Sequence, residues 1–236
     1  MRSKRKVAVA GAVLVAVLVV GVAAAAAATI EGGEGDDPLT GTPRHDKILA
    51  LGGNDTVTAL GGPDLVRGGT GNDTIDGGDG HDRLSGGEGD DTIAGGEGGD
   101  QLLGRLGNDT LNGEGGRDLV RGGRGDDRED GGDGGDLIFA GPGVDVVIGG
   151  AGGDTIFARA RVDAATPGAD TIFAGPGDDM VFVRDGEADV VACGSGFDVV
   201  IADPTDVVRG SCERVRVGAP RADQGDSEET GDETAA

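Results

Sequence analysis

The sequence predicts an all-β solenoid of stacked nine-residue units, and three observations indicate this fold class. First, aspartates recur every nine residues in unbroken register from Asp37 to Asp154. Second, an aliphatic residue follows two positions after each of them, with Glu129 as the one exception among fourteen. Third, 51 of the 236 residues are glycine, and aromatic residues make up 2% with neither Trp nor Tyr. This composition disfavours a conventional packed core, and glycine that recurs with a period indicates repeats rather than disorder.

The charge of the chain argues against one class of partner. Acidic residues number 44 against 20 basic residues, which gives a formal net charge of -24. A chain with this charge repels itself when compact and is repelled by nucleic acid phosphates. We therefore expect a cationic partner and no nucleic acid.

Residues 1–29 resemble a targeting segment. A basic cluster at residues 2–6 precedes an apolar run from Val7 to Val22 and then an alanine-rich stretch. This order is typical of a secretory signal peptide. The alternative is an uncleaved anchor, since the apolar and small residues from Val7 to Ala28 are long enough to span a bilayer. Either way we expect a secreted, extracellular protein that contacts a membrane only if the segment is uncleaved.

Residues 30–157 contain the regular repeats, and residues 68–76 are a clear copy with the sequence GGTGNDTID. Each unit predicts a six-residue loop followed by a three-residue strand. Glycine permits positive φ and close approach of the backbone, and the aliphatic residue points inward. One aliphatic side chain per strand makes no core alone, but stacked copies form a continuous one.

The loops carry the ligand types that calcium prefers. Ca²⁺ takes six to eight oxygen ligands and accepts mixtures of carboxylates and backbone carbonyls. Zn²⁺ and copper favour Cys and His, which are scarce here, and Mg²⁺ tends to keep its waters. The loops therefore predict a calcium-binding protein.

The pattern G-G-x-G-x-D-x-(aliphatic)-x resembles the repeat of the RTX, or haemolysin-type, calcium-binding proteins. The resemblance extends from Gly32 to Phe157. It implies a right-handed parallel β-roll (a β-solenoid) with two nonapeptides per turn and Ca²⁺ between the loops of adjacent turns. It also implies that loop carbonyls and the fourteen repeat aspartates are the metal ligands: Asp37, Asp46, Asp55, Asp64, Asp73, Asp82, Asp91, Asp100, Asp109, Asp118, Asp127, Asp136, Asp145 and Asp154.

Alternate units differ, which independently supports an 18-residue turn with two sheets. Thr56, Thr74 and Thr92 follow the aspartate in one set of units, whereas Leu65 and Arg83 do so in the other. Seven loops on each edge leave six gaps, so the roll would hold several ions and at most about twelve. Their charge would roughly cancel that of the chain.

Some units depart from the pattern. We expect weak sites where other residues replace the loop consensus: Arg44, His45, Leu51, Leu60, Arg105, Glu114 and Arg117. Stronger loops are expected at 68–100 and 122–154. Glu129 would cost several kcal/mol if buried unpaired, so we expect the roll to open locally there or to pair this side chain with Arg.

After Asp154 the register slips, and the next matching residues are Asp170, Asp179, Asp189 and Asp198. Residues 158–169 are expected to form a loop. Residues 158–219 predict degenerate repeats and a C-terminal β cap, which solenoids require. Two cysteines in an exported protein most simply pair, so a Cys193–Cys212 disulfide is expected, against free thiols or metal binding. Residues 220–236 predict a disordered acidic tail.

Nothing in the sequence favours catalysis. It contains neither H-E-x-x-H nor G-x-S-x-G, and His45 and His81 occupy loop positions where sister units carry Asn or Asp. The repeats also leave no room for a catalytic domain, so we expect no enzyme. The first hypothesis is a secreted calcium-binding repeat protein whose folding is driven by Ca²⁺. The alternative is a calcium-stabilised adhesion protein with a cell-surface or cell-wall partner, contacted by outward apolar residues: Phe139, Ile148, Phe157 and Phe173.

Overall fold

The computed structural model describes residues 27–158, 168–210 and 212–219, and every regular element in these ranges is a β-strand. The strands form two parallel sheets. These ranges contain no helix with the length and hydrophobicity that crossing a membrane requires. Most of the segment expected to be a signal peptide and the whole acidic tail lie outside the described residues.

Each turn of the chain contributes one strand to each of the two sheets. The first sheet contains, in spatial order, β1 (Thr29–Glu31), β3 (Lys47–Gly52), β5 (Leu65–Thr70), β7 (Arg83–Glu88), β9 (Gln101–Leu106), β11 (Leu119–Arg124), β14 (Leu137–Phe139), β16 (Thr155–Phe157), β18 (Met180–Val183), β20 (Val199–Ala202) and β22 (Arg214–Val217). The second contains β2 (Pro38–Thr40), β4 (Thr56–Thr58), β6 (Thr74–Gly80), β8 (Thr92–Gly98), β10 (Thr110–Gly116), β12 (Arg128–Asp130), β15 (Val146–Ile148), β17 (Thr171–Phe173), β19 (Val190–Ala192) and β21 (Val207–Arg209). A short strand, β13 (Asp133–Gly134), also pairs with β10.

The register of the sheets confirms the parallel β-roll. Val57 pairs with Ile75, and Val66 pairs with Leu84, so partners are one 18-residue turn apart. Every sheet neighbour is parallel, and successive strands in the chain belong to opposite sheets through most of the roll. Two nonapeptides therefore make one turn.

The core is a single column of aliphatic side chains between the sheets. The first sheet contributes Ile48, Val66, Leu84, Leu102, Val120, Ile138, Ile156, Val181 and Val200, and the second contributes Val57, Ile75, Ile93, Leu111, Val147, Ile172 and Val191. Each is at most 1% exposed. Burying one such side chain contributes about 1.5–3 kcal/mol, so the column supplies the stabilisation that no single strand can.

Glu129 occupies one position of this column, and the expectation for it was wrong. The roll does not open there: Glu129 is 0% exposed and aligned between Leu111 and Val147 of the neighbouring strands. Nor does it pair with Arg, because neither carboxylate oxygen has a hydrogen-bond partner. The register of both neighbours holds this side chain inward.

Strands β5 to β11 are six or seven residues long rather than the three expected. The reason is that backbone pairing continues into the loops. Gly69 aligns with Gly87, and the Gly71 amide donates to the Glu88 carbonyl at 2.8 Å. The chain bends within these strands, at positive-φ residues such as Gly69.

The C-terminal part continues both sheets at a different spacing. Asp145 and Asp170 are equivalent although 25 residues separate them, because an insertion lies between β16 and β17. The loop expected at residues 158–169 lies mostly outside the described residues. The next turn has 19-residue spacing, and the last strands pair at 17 residues (Val190 with Val207) and 15 residues (Val199 with Arg214). β22, whose four residues are all exposed, is the last strand of the first sheet.

In this C-terminal part Cys193 and Cys212 form a disulfide with their Cα atoms 5.5 Å apart. Cys193 directly follows β19 of the second sheet, and Cys212 precedes β22 of the first. The bond therefore links the end of β19 covalently to the segment between β21 (Val207–Arg209) and β22, the last strands of the two sheets.

The outward aromatic residues divide between the sheets. Phe139, Phe157 and Phe182 stack on the outer face of the first sheet, with ring centroids 5.0 and 4.7 Å apart. Phe173 lies instead on the second sheet, aligned with Ile148. The four outward apolar residues expected together therefore divide into two pairs, Phe139 with Phe157 on the first sheet and Ile148 with Phe173 on the second.

Candidate metal centres

Aspartate side chains form two rows, one along each edge of the roll where a loop meets a strand. The first row contains Asp37, Asp55, Asp73, Asp91, Asp109, Asp127, Asp145, Asp170 and Asp189. The second row contains Asp46, Asp64, Asp82, Asp100, Asp118, Asp136, Asp154, Asp179 and Asp198. All of them except Asp37 are at most 3% exposed.

From Asp55 onward, one carboxylate oxygen of each aspartate holds its row together. The backbone amide of one aspartate donates to Oδ1 of the aspartate in the next turn; Asp91, for example, donates to Asp109 at 2.8 Å. The bond recurs through both rows with donor–acceptor distances of 2.6–3.1 Å. These bonds fix each carboxyl group against the loop of the preceding turn.

The other oxygen, Oδ2, lacks a partner in most of the two rows. It is buried without a hydrogen bond in Asp55, Asp64, Asp73, Asp82, Asp91, Asp100, Asp109, Asp118, Asp127, Asp136, Asp145, Asp154, Asp170, Asp179 and Asp189. A buried polar atom without a partner is costly, and native proteins keep few of them. Fifteen such oxygens, divided between the two rows, therefore indicate a ligand.

Burial and mutual repulsion raise the pKa values of these carboxyl groups. Burial is the largest cause throughout, and it raises the pKa of Asp189 to about 9 and those of Asp145 and Asp170 to about 8. Negative neighbours add to the shift; Asp127, for example, raises the pKa of Asp145. The rows are therefore disfavoured in the ionised form unless positive charge is supplied.

Loop glycines leave space beside many of the unpartnered oxygens. A Cβ atom on Gly68 would lie 2.1 Å from Asp73 Oδ2 and 2.7 Å from the Gly86 carbonyl oxygen. The same convergence of a carboxylate and a carbonyl oxygen occurs beside Gly77, Gly95 and Gly104. Ca²⁺ prefers this mixture of oxygens. The residues of the roll thus fit the ion that the sequence predicts, since Oδ2 and loop carbonyl oxygens are placed together as possible donors.

Four units keep the loop conformation without glycine. Leu51 and Arg105 have φ values of 81° and 90°, at the position that Gly69 and Gly87 occupy in neighbouring turns. Leu60 and Glu114 also have positive φ, 83° and 68°, at the position that Gly78 and Gly96 occupy in neighbouring turns. A residue with a Cβ is strained in this region by about 1–2 kcal/mol. The stacking of loops therefore imposes the conformation, and the weaker binding expected of these units stays a prediction.

The fourteen aspartates named from the sequence fall into two groups in the structure. Twelve, Asp55 through Asp154, carry the unpartnered Oδ2. Asp37 and Asp46 differ because their Oδ2 atoms accept hydrogen bonds from the Gly33 and Thr42 amides at 2.6 and 2.5 Å. The protein itself thus satisfies the carboxylates of the first turn.

Sequence reasoning left out three aspartates that have the same environment. The sequence pattern places Asp170, Asp179 and Asp189 where the repeat resumes, outside the fourteen predicted ligands. Their Oδ2 atoms are nevertheless buried and unpartnered. The hydrophobic residues two positions later, Ile172, Val181 and Val191, are the signal that could have identified them.

The position before each repeat aspartate forms a separate, exposed column. Asn72 Oδ1 accepts the Asp90 amide, and Asn108 Oδ1 accepts the Asp126 amide, at 3.0 and 2.8 Å. His81 takes the same place in the other row, where its Nδ1 accepts the Gly99 amide at 2.7 Å. This exposed histidine therefore acts as a loop residue.

The family comparison agrees with this geometry. A family model for the RTX calcium-binding nonapeptide repeat matches residues 31–66, 58–93, 94–129, 130–160 and 164–188. No curated protein matches the sequence. The matched repeats cover more than half of the chain and coincide with the turns that carry the unpartnered Oδ2 atoms. The chain belongs to the family of RTX calcium-binding nonapeptide repeat proteins, and it is a calcium-binding repeat protein with a β-roll fold.

Proposed function

We propose that this chain is a secreted, non-enzymatic calcium-binding protein whose folding into the β-roll is driven by Ca²⁺. The observation that carries the proposal is the set of fifteen buried aspartate oxygens without a partner. Bound Ca²⁺ would supply positive charge and accept lone pairs from Oδ2 and from the loop carbonyls. The number of ions expected from the loop count is at most about twelve.

The protein's own residues orient the carboxyl groups and exclude water from them. The amide-to-Oδ1 bonds orient each carboxyl group so that Oδ2 is held beside the loop glycines, as at Asp73 and Gly68. The aliphatic column excludes water behind the row. In the absence of metal, the same arrangement brings like charges together in a buried setting. Folding and ion binding are therefore coupled, as in other sites that the unfolded chain does not preform.

We propose that the apolar segment before the roll directs export and that the chain folds outside the cytoplasm. The expected divisions at residues 1–29, 30–157, 158–219 and 220–236 belong to the same proposal. An exported chain would remain unfolded until it met extracellular calcium. The Cys193–Cys212 disulfide supports this location, because disulfides persist in oxidising compartments.

A calcium titration of the purified protein tests the proposal. Far-UV circular dichroism should change from coil to β-structure as Ca²⁺ rises to millimolar concentration, and calorimetry should show several ions bound. Mg²⁺ at the same concentration serves as the control. A spectrum unchanged by Ca²⁺, without heat of binding, would refute calcium-driven folding.

The second candidate function is adhesion to a cell-surface or cell-wall partner. It rests on the stacked rings of Phe139, Phe157 and Phe182 on the outer face of the first sheet. Retention on cell-wall material should require Ca²⁺ and be lost when these three residues are changed to Ser. The matched control is Phe173→Ser, an exposed ring on the second sheet. Equal loss in both variants, or no retention of the wild type, would reject this function.

A further inference from the structure

Glu129 is a fully buried acid in a position that is otherwise aliphatic. It lies in β12. The equivalent position carries Ile, Leu or Val in the thirteen other repeat units. Its side chain is 0% exposed, and neither Oε1 nor Oε2 has a hydrogen-bond partner. A polar group buried without compensation is costly, so the structure requires something to compensate this one.

Two neighbouring aspartates place their carboxylates beside it. Oxygen atoms of Asp127, Glu129 and Asp145 all lie within 4.8 Å of one another. Asp127 and Asp145 are consecutive members of the first aspartate row, and their Oδ2 atoms are unpartnered as well. Among the described residues, this is the one group of three such side chains close enough to hold a metal ion together.

Gly122 leaves open the space onto which these groups converge. A Cβ atom on this glycine would lie 2.3 Å from Glu129 Oε1 and 2.4 Å from Asp127 Oδ2. The Ala140 carbonyl oxygen would be 2.8 Å away. Two carboxylates and one carbonyl therefore surround the same point. In neighbouring turns, as beside Gly104, only an aspartate and a carbonyl oxygen do so.

The charges around Glu129 favour a cation over a proton as its partner. Its buried carboxyl group lies within 4.8 Å of carboxylate oxygens of Asp127 and Asp145. A proton would neutralise Glu129 alone. A divalent cation would neutralise it together with the two aspartates whose Oδ2 atoms lack partners, so the cation satisfies more of the buried oxygens.

We propose that Glu129 is an interior ligand of a Ca²⁺ ion that Asp127 and Asp145 also bind. This inference rests on the proposed calcium-binding function and adds a third carboxylate to one site. Affinity for Ca²⁺ rises with the number of charged ligands in a rigid site. The turn at Glu129 therefore holds its ion more tightly than turns with an aliphatic residue in this position, and it releases that ion last.

The test compares two substitutions at one position. Glu129→Gln has the shape of the protonated acid but cannot become negatively charged. Glu129→Leu restores the residue type of the sister units, so it is expected to fold. The matched control is Glu97→Gln, which removes one exposed carboxylate and leaves the interior unchanged. The free energy of unfolding is measured by denaturant titration at a series of Ca²⁺ concentrations, with calorimetric binding isotherms alongside.

If Glu129 binds Ca²⁺, Glu129→Gln weakens one site by about tenfold or more, the scale expected when a metal site loses a partner. The stability advantage of the wild type over this variant then grows as Ca²⁺ rises. Glu129→Leu should be more stable than the wild type at the lowest Ca²⁺ concentration and lose that advantage at saturation. Glu97→Gln should follow the wild type throughout.

A constant offset between wild type and both variants at every Ca²⁺ concentration would overturn the inference, since a protonated Glu129 predicts that result. In that case the wild type would still bind Ca²⁺, and the proposed function would stand. If the wild type binds no Ca²⁺ at all, the proposed function and this inference both fail.

Discussion

At the scale of single residues, the close stacking of loops decides which positions must be glycine. Gly98 has φ of 147°, and a Cβ atom there would lie 1.4 Å from the Gly80 carbonyl oxygen of the preceding turn. One turn later, a Cβ atom on Gly116 would lie 1.2 Å from the Gly98 carbonyl oxygen. No rotamer relieves such an overlap, because both partners are backbone. Gly35, by contrast, has no atom within 4 Å of its missing Cβ.

We therefore expect Gly98→Ala to destabilise the calcium-loaded roll by more than about 2 kcal/mol, from the strained φ and the displaced backbone. Gly35→Ala should change stability by less than about 0.5 kcal/mol, as an exposed substitution without a clash does. Denaturant unfolding in saturating Ca²⁺ measures both variants. Equal stability of the two would show that the loops are not stacked this closely.

At the scale of elements, the aspartate row carries two functions on separate oxygens. Oδ1 is a structural acceptor for the next amide, whereas Oδ2 is available to a ligand. Replacing an aspartate with asparagine keeps an oxygen that can accept the amide hydrogen bond, but it removes the negative charge that would attract a cation. Asp90 and Asp91 show the contrast side by side, since Asp90 is exposed in the column where other turns carry Asn72 and Asn108.

Asp91→Asn should thus weaken the two sites that flank it. A tenfold loss at each corresponds to about 3 kcal/mol of stability in saturating Ca²⁺. With a chelator the sign should reverse, because the substitution removes a buried charge whose pKa burial raises to about 7. Asp90→Asn is the control and should behave as the wild type. The two variants are compared by denaturant unfolding with and without Ca²⁺, and indistinguishable results would argue against the row as the ligand.

The last strands depend on a different kind of support. The Cys193–Cys212 bond closes a loop of nineteen residues beside strands that bury little surface, such as β22. Replacing both cysteines with Ser should cost about 3 kcal/mol by the loop-closure relation. Protease digestion in Ca²⁺ should then remove the C-terminal strands first. Reduced wild type is the control and should match the variant; resistance of the variant equal to that of the oxidised protein would mean that β22 is held by packing alone.

The register of nine predicted most of these elements, and its failures have physical causes. The aspartate rows and the core column follow directly from spacing, because two nonapeptides close one turn. The grouping of Phe173 and Ile148 with Phe139 and Phe157 was wrong, because the spacing of 25 residues at the insertion before β17 places Phe173 beside Ile148 on the second sheet. The hydrogen bonds that satisfy Asp37 and Asp46 depend on where the Gly33 and Thr42 amides lie, and residue spacing does not reveal those positions.

Glu129 shows the limit of the pattern most clearly. From the sequence alone, the cost of burying an unpaired acid is expected to be larger than the cost of opening the roll. This comparison led to the wrong expectation that the roll opens at Glu129 or that Glu129 pairs with Arg. The parallel pairing with Leu111 on one side and Val147 on the other holds the strand in register. Register in a two-sided roll is therefore strong enough to bury one carboxylate.

For the whole molecule, the balance of charge decides whether the roll exists. The chain carries a formal net charge of -24, and the carboxylates of the two rows are stacked within one roll. Protons and Ca²⁺ both relieve this repulsion, so they should act in the same direction when each is present alone and compete when both are present. This makes pH a direct probe of the rows.

In a chelator, the direction in which stability changes with pH follows from the pKa values that burial raises in the folded state. The ordinary pKa of Asp is 3.8, whereas Asp189 is raised to about 9, Asp170 to about 8 and Asp82 to about 7. The folded state thus binds protons more tightly than the unfolded state, and the resulting stability is complete below about pH 4 and lost as pH rises through about 7–9. Circular dichroism without metal should therefore show more β-structure at pH 5 than at pH 8.

With Ca²⁺ present, the dependence on pH should reverse, since protons then occupy the Oδ2 atoms that the ion needs. The Ca²⁺ concentration required for folding should rise as pH falls from 8 to 5. Added NaCl separates the two sources of repulsion: it screens the exposed charges and leaves the buried rows largely unaffected. If 0.5 M NaCl alone restored the β-structure at pH 8 in chelator, general surface repulsion would account for the metal-free state. Persistence of the coil in salt, with recovery on adding Ca²⁺, would place the barrier to folding in the two aspartate rows.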